Sequence, residues 1–187
     1  MQLHLIERNQ AMAESKRALS RRLATEALSG ITTPGYSLEA VIRKALRVAA
    51  LRNHTYYEAW FRLQLLDIGS GRHDLRKVRE IVNTAFPNGE RSEEVTAEIL
   101  ADYMTSRSVP SRPDQMYGAT IASLEQSVSN MEDAFNNARG DLPHEFVRSL
   151  HENKQMFNGI KNRVQTYLMQ VEADEVTDEG QNDDNGS

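Results

Sequence analysis

Apolar residues recur at helical spacing along most of the chain. Between residues 38 and 49 they follow three-and-four steps, which give a helix one buried face. Ser37 stands directly before this run and is a typical N-cap residue. The next run, residues 57–68, is apolar over most of its circumference and includes Trp60. Alternating strand patterns are absent, so the sequence predicts an all-α protein.

The most regular pattern lies in the C-terminal part of the chain. Apolar residues are spaced 4-3-4-3-4 over residues 117–135 and keep that spacing over residues 146–171, where only Asn153 interrupts the series. This heptad repeat predicts two long helices that fold back on each other as an antiparallel hairpin. The expected pairs across the seam are Phe135 with Phe146, Met131 with Leu150, Val128 with Asn153, and Leu124 with Phe157. Alternatively, both seams pack on the N-terminal helices as ordinary core.

Turn-forming and charged segments divide the chain into four parts. Residues 106–113 contain two prolines and two arginines, which favours a linker. The end of the chain is acidic and has no aromatic residue, which favours disorder. The expected organisation is an N-terminal helical domain at 1–105, a linker at 106–113, a helical hairpin at 114–172 and a disordered acidic tail at 173–187. Within the first domain we expect a helix at about 3–28, a second from 38 to a break around 52–54, a third at about 55–68, a fourth at about 73–86 and a fifth capped by Ser92.

The charge of the chain is unevenly distributed. The net charge is −5, but residues 1–80 carry 14 Lys and Arg against 8 Asp and Glu, and the rest of the chain carries 8 against 19. A basic half can meet an acidic partner or a phosphate backbone. The chain has no cysteine, no signal-peptide pattern at its first ten residues and no long apolar stretch, so we expect a cytoplasmic protein that does not enter a membrane.

No catalytic motif and no cofactor-binding motif is recognised, so we expect no enzyme activity and no cofactor. One weak pair is Arg47 and His54, which lie two turns apart if the helix is unbroken. An Arg followed by a His resembles the HEPN-type helical ribonucleases, in which such a pair acts on RNA. Against this interpretation, Thr55 and Glu58 form a capping box that places His54 at a helix break.

A second weak set lies on the last helix. His144, Arg148, His151 and Glu152 fall at positions i, i+4, i+7 and i+8, close enough to interact. Two His and a Glu could bind a metal. Such a set is more often a solvated outer face, and we therefore expect no metal.

Basic residues on the N-terminal helices offer a nucleic-acid alternative. If they converge, they could contact phosphates. The candidates are Lys16, Arg17, Arg21, Arg22, Arg43, Lys44 and Arg47.

Two segments of the N-terminal half resemble a known family. Residues 37–46 have the sequence SLEAVIRKAL and residues 58–65 have the sequence EAWFRLQL. Together, over residues 22–67, they resemble the N-terminal region of AbiTii-like proteins of bacterial abortive-infection and phage-defence loci. Gln64 replaces the usual Glu, and Asp67-Ile68 stands where Gly-Tyr is expected. The resemblance implies a role in antiviral defence, with Trp60, Arg43 and Lys44 as signature positions, and implies no reaction.

The function we expect is that of a non-enzymatic helical adaptor that binds partner proteins of a defence complex and forms a homo-oligomer. Heptad residues of the hairpin are the expected protein-binding set: Leu124, Val128, Met131, Phe157, Ile160 and Val164. The alternatives are a nucleic-acid-binding subunit of such a complex and a HEPN-like ribonuclease toxin.

Overall fold

The computed structural model describes residues 2–68, 80, 83–84, 92–138 and 142–180. In chain order the elements are α1 (Gln2–Thr32), α2 (Leu38–Arg52), α3 (Thr55–Gln64), α4 (Ser92–Arg107), β1 (Ser108–Val109), β2 (Arg112–Met116), α5 (Ile121–Asn137) and α6 (His144–Gly180). The prediction of an all-α protein is confirmed, with a small antiparallel ribbon of β1 and β2 added to it. The helix predicted at 73–86 lies almost wholly outside the described residues.

None of the helices in these described ranges combines the length and the apolar character that crossing a membrane requires.

Local sequence explains where α2 begins and ends. The Ser37 Oγ accepts a hydrogen bond from the Ala40 N–H at 3.2 Å, as an N-cap should. At the other end Asn53 takes the left-handed conformation (φ 57°, ψ 32°), which asparagine tolerates better than most residues. The predicted break is therefore present. The predicted capping box is wrong by one position, because His54 is the N-cap of α3 and Thr55 is already helical.

All the helices share one buried core. The inner face of α2 and the centre of α3 are almost completely excluded from solvent, and the second half of α6 joins them. The core residues of these three faces are Val41, Ile42, Ala45, Val48, Ala49, Trp60, Phe61, Leu63, Ile160, Val164, Leu168 and Val171. The C-terminal part of the chain thus packs directly on the N-terminal helices.

The two halves of α6 have different neighbours. In the first half, Asn153 Nδ2 donates to Ser127 Oγ at 3.3 Å, and Lys154 pairs with Glu132 at 2.6 Å, so this half lies along α5. Because α6 has 37 residues and α5 only 17, the second half of α6 extends beyond α5. That half packs against α1, where Thr25 donates to Glu172 at 2.7 Å. Its Tyr167 ring also contacts the rings of Tyr57 and Phe61 on α3.

Two predicted segments take other structures. Residues 106–113, expected to be a linker, form the end of α4 and most of the ribbon. Proline is tolerated in such a ribbon because the ribbon has no central strand. The acidic tail, expected from residue 173, begins as helix because α6 continues to Gly180; residues 181–187 lie outside the described part.

Candidate binding surfaces

The six hairpin residues predicted to bind a partner are mostly core residues. Leu124, Ile160 and Val164 are fully buried and Val128 is buried, whereas Met131 and Phe157 are half-buried. The heptad seam is covered by the chain's own helices, so the prediction that this seam is a free protein-binding surface is wrong. Periodicity identifies a buried face, but not the element that buries it.

An exposed apolar groove lies instead beside the end of α5 and the start of α6. It has a volume of about 850 Å³ and runs between the last turns of α5 and the first half of α6. Phe135 on α5 is 47% exposed and Val147 on α6 is 40% exposed, and both line it. We call this surface the hairpin groove; its main lining residues are Glu132, Phe135, Val147, Leu150, His151 and Lys154.

The rim of the hairpin groove is polar and nearly neutral. Glu132 and Lys154 lie on opposite helices and pair at 2.6 Å, so their charges offset each other. Most of the other rim residues are uncharged amides: Asn136, Gln155, Asn158 and Asn162. A neutral rim around exposed apolar side chains is the composition of a protein-binding surface rather than of a nucleic-acid-binding one.

The residues considered as metal ligands on α6 do not share one face. His144, Arg148 and His151 are exposed, whereas Glu152 is buried and accepts a hydrogen bond from the Ser111 N–H at 3.1 Å. Glu152 therefore ties α6 to the ribbon. Over the described ranges, no three His, Asp or Glu side chains lie together in a way that could hold a metal.

The predicted nucleic-acid-binding residues separate into two groups. Arg43 Nε donates to Glu39 at 2.9 Å, Lys44 pairs with Glu26 at 2.9 Å, and Arg22 lies 3.9 Å from Glu26. These three cations belong to surface ion pairs on α1 and α2. Lys16, Arg17, Arg21 and Arg47 are exposed, and Lys16 and Arg17 line a cleft.

This cleft, which we call the basic cleft, lies between α1 and the break that separates α2 from α3. It has a volume of about 450 Å³ and is lined by Met12, Lys16, Arg17, Leu51, Arg52, Asn53 and His54. Arg52 is held in place because its Nε donates to Ser20 Oγ at 3.0 Å and its Nη2 to the Val171 carbonyl at 3.5 Å. Arg52 is not among the seven candidates named from the sequence, and the structure places it beside Lys16 and Arg17.

His54 is part of this cleft and not of a continuous helix with Arg47. The left-handed Asn53 ends α2 between them, and His54 Nδ1 lies 3.1 Å from Tyr167 Oη on α6. Burial lowers the pKa of His54, and the charge of Arg52 lowers it further. The continuous helix that would place Arg47 and His54 two turns apart is therefore absent, and Arg52 is a cation that acts electrostatically on His54.

A polar cluster that the sequence did not reveal joins α3, α4 and α6. Arg163 Nη2 donates to Tyr56 Oη at 2.9 Å and pairs with Asp102, which also accepts from Tyr56. Burial alone would raise the pKa of Asp102, but the hydrogen bonds from Arg163 and Tyr56 outweigh it and hold that pKa below its usual value. The guanidinium of Arg163 lies 4.8 Å from the Trp60 ring. This cluster fixes α6 on α3.

A second unforeseen residue is Arg107, a fully buried cation at the end of α4. Its Nε donates to Gln64 Oε1 at 2.8 Å, its Nη2 to the Gln64 carbonyl at 3.2 Å and its Nη1 to the Ala119 carbonyl at 3.0 Å. Burial lowers the pKa of Arg107. These bonds connect α3 and α4 to the segment before α5, which is a structural role.

No protein-family model, no curated protein and no solved structure matches this chain. Membership of the AbiTii-like family therefore stays a prediction.

The positions that carry the AbiTii resemblance have clear structural roles. Trp60 is fully buried in α3, whereas Arg43 and Lys44 are engaged in surface ion pairs. Gln64, which departs from the family's Glu, accepts from Arg107 and donates its Nε2 to Ser106 Oγ at 3.4 Å. A carboxylate could not make the second of these bonds, so the glutamine suits this site.

Proposed function

We propose that this chain is a non-enzymatic assembly protein that associates with a second copy of itself through the hairpin groove and serves as an adaptor in a bacterial antiviral defence complex. The observation that carries the proposal is the pair of half-exposed apolar side chains, Phe135 and Val147, on two helices beside a groove of about 850 Å³. The defence role comes from the AbiTii resemblance of residues 22–67 alone.

The shape of the surface supports a second copy as the occupant. A two-fold interface uses the same patch on both partners, so that patch must contain both a protrusion and a depression. The exposed apolar side chains of Phe135 and Val147 would enter the partner's groove between α5 and α6, and the partner's side chains would enter this one. The neutral rim avoids the like-charge repulsion that two copies of a charged patch would meet.

Exposed phenylalanine and valine also favour association energetically. Removing a large apolar side chain from water contributes about 1.5–3 kcal/mol when burial is complete. Phe135 and Val147 are roughly half exposed in the single chain, so about half of their surface can still be buried on association. In a symmetric dimer both copies bury these two side chains, so their contribution to the free energy of association is doubled. Because both lie on regular helices, little chain ordering is needed on binding.

Changing Phe135 to Asp is expected to convert the dimer into a monomer. The carboxylate would be buried at the interface without a partner, which is unfavourable. Light scattering should then give the chain mass of 21.2 kDa for Phe135→Asp and twice that mass for the unchanged protein. Since Phe135 is half exposed in the single chain, the variant should still fold, and circular dichroism should show the same helix content as in the unchanged protein.

Met169→Asp is the matched control for this variant. Met169 lies on α6 outside the hairpin groove and is 55% exposed, so the same carboxylate there should leave the mass unchanged. An unchanged protein that is monomeric at every concentration, or a Phe135→Asp variant that stays dimeric, would refute self-association through this groove.

A second candidate function, nucleic-acid binding, is favoured by one observation. The basic cleft brings Lys16 and Arg17 of α1 together with Arg52 of α2. The basic cleft and the hairpin groove share no lining residue, so binding at the cleft does not depend on the groove.

A further inference from the structure

The basic cleft has the composition of an anion-binding site. Lys16, Arg17 and Arg52 supply three positive charges from two helices, and His54 completes the wall. Guanidinium groups bind phosphate through two parallel hydrogen bonds, and a lysine adds a compact charge.

The size and the apolar lining of the cleft indicate what accompanies the anion. A volume of about 450 Å³ lies within the range of roughly 300–1,000 Å³ that small-molecule sites occupy. Met12 and Leu51 line the cleft together with the cations. They provide an apolar contact for a sugar or a base beside the phosphate.

Two side chains of the cleft are positioned before any ligand arrives. Arg52 is oriented by its bonds to Ser20 and to the Val171 carbonyl. His54 is oriented by Tyr167, whose Oη lies 3.1 Å from its Nδ1. Preorganised donors bind more tightly because less conformational entropy is lost on binding.

We propose that the basic cleft binds the phosphate group of a nucleotide or of a nucleic-acid backbone. The proposal deepens the second candidate function and does not depend on the hairpin groove. Asp174, on α6, lies close enough to His54 to raise its pKa electrostatically, so it brings a negative charge to the wall of the cleft. A bound phosphate competes with this carboxylate for the same positive charges.

The first experiment titrates the 187-residue chain with ATP and, separately, with a single-stranded DNA oligonucleotide, using calorimetry. At least one probe should bind with a Kd below about 1 mM. Binding should weaken as the salt concentration rises from about 50 to about 200 mM. Binding of ATP alone assigns the site to a free nucleotide, and binding of the oligonucleotide alone assigns it to a nucleic-acid backbone. If neither probe binds, the proposal is wrong.

Variants then place the binding in the cleft. The double variant Lys16→Gln, Arg17→Gln should bind the probe at least about tenfold more weakly, because each substitution removes a charged hydrogen-bond donor. Both residues are exposed, so the fold should be retained. Arg43→Gln with Arg47→Gln removes the same charge from α2 outside the cleft and should have little effect. Equal losses in the two double variants would show general charge attraction and would overturn the proposal.

A third variant acts in the opposite direction and cannot be explained by unfolding. Asp174→Asn removes the opposing carboxylate and should tighten binding of the probe severalfold. Phe135→Asp should leave the affinity unchanged, which separates this cleft from the proposed dimer surface. Weaker binding in Asp174→Asn would contradict the proposed position of the ligand.

Discussion

Replacing Trp60 with alanine is expected to lower the free energy of unfolding by about 3–5 kcal/mol, the usual cost of removing a large aromatic side chain from a core. Trp60 is fully buried, and its ring meets Phe61 edge-on with centroids 5.5 Å apart. The substitution leaves a cavity that the neighbouring helices cannot fill. It also removes the ring over which Arg163 lies, so α6 loses a contact with α3.

Urea unfolding followed by circular dichroism measures this change. Leu66→Ala is the control, because Leu66 follows the same helix but is 39% exposed, and should cost less than about 1 kcal/mol. Equal effects of the two substitutions would mean that α3 is not the centre of the core.

Replacing Arg107 with methionine is expected to lower the free energy of unfolding by about 2–4 kcal/mol. Methionine has a similar length but no donors, so Gln64 Oε1 and two backbone carbonyls would be left buried without their bonds. Each unsatisfied buried acceptor costs about 1–3 kcal/mol, part of which local relaxation recovers. Arg43→Met, at an exposed ion pair, should change stability by less than about 1 kcal/mol.

A double-mutant cycle with Gln64→Leu isolates the Arg107–Gln64 interaction. The double variant should be more stable than the sum of the single losses predicts, by about 1–3 kcal/mol, because neither group is then left without its partner. Urea unfolding of the four proteins gives this coupling energy. Strictly additive losses would contradict a direct bond between the two side chains.

Features that depend on neighbouring residues were predictable from the sequence. The Ser37 cap and the buried face of α2 follow from local hydrogen bonding and from the helical period. The break after Arg52 follows from a residue that accepts the left-handed conformation, Asn53. The long periodic segments of α5 and α6 likewise predict helices.

Features that depend on distant residues were not predictable. Arg107 was assigned to a linker because a charged residue near prolines is normally exposed, and nothing nearby in sequence shows that Gln64 and Ala119 surround it. The heptad seam was assigned to an external partner for a related reason. A heptad pattern is the same whether the covering helix belongs to this chain or to another.

In the candidate sites, too, the residue types were predictable from the sequence, whereas their grouping depends on residues distant in the chain. Lys16 and Arg17 were recognised as basic, but their grouping with Arg52 depends on how α1 packs against the break after α2. The exposed Phe135 was predicted to be covered by Phe146, yet the hairpin leaves it half exposed. Only the packing of helices shows which members of a periodic series reach the surface.

Protection of a single cysteine in the hairpin groove tests self-association most directly, since the chain has no cysteine of its own. Asn136→Cys places a thiol on the rim and keeps Phe135 and Val147, whereas Met169→Cys places one outside the groove. We expect maleimide labelling of Asn136→Cys to slow as the protein concentration rises, while labelling of Met169→Cys keeps its rate. Rates at both positions that do not depend on concentration would contradict the proposed dimer.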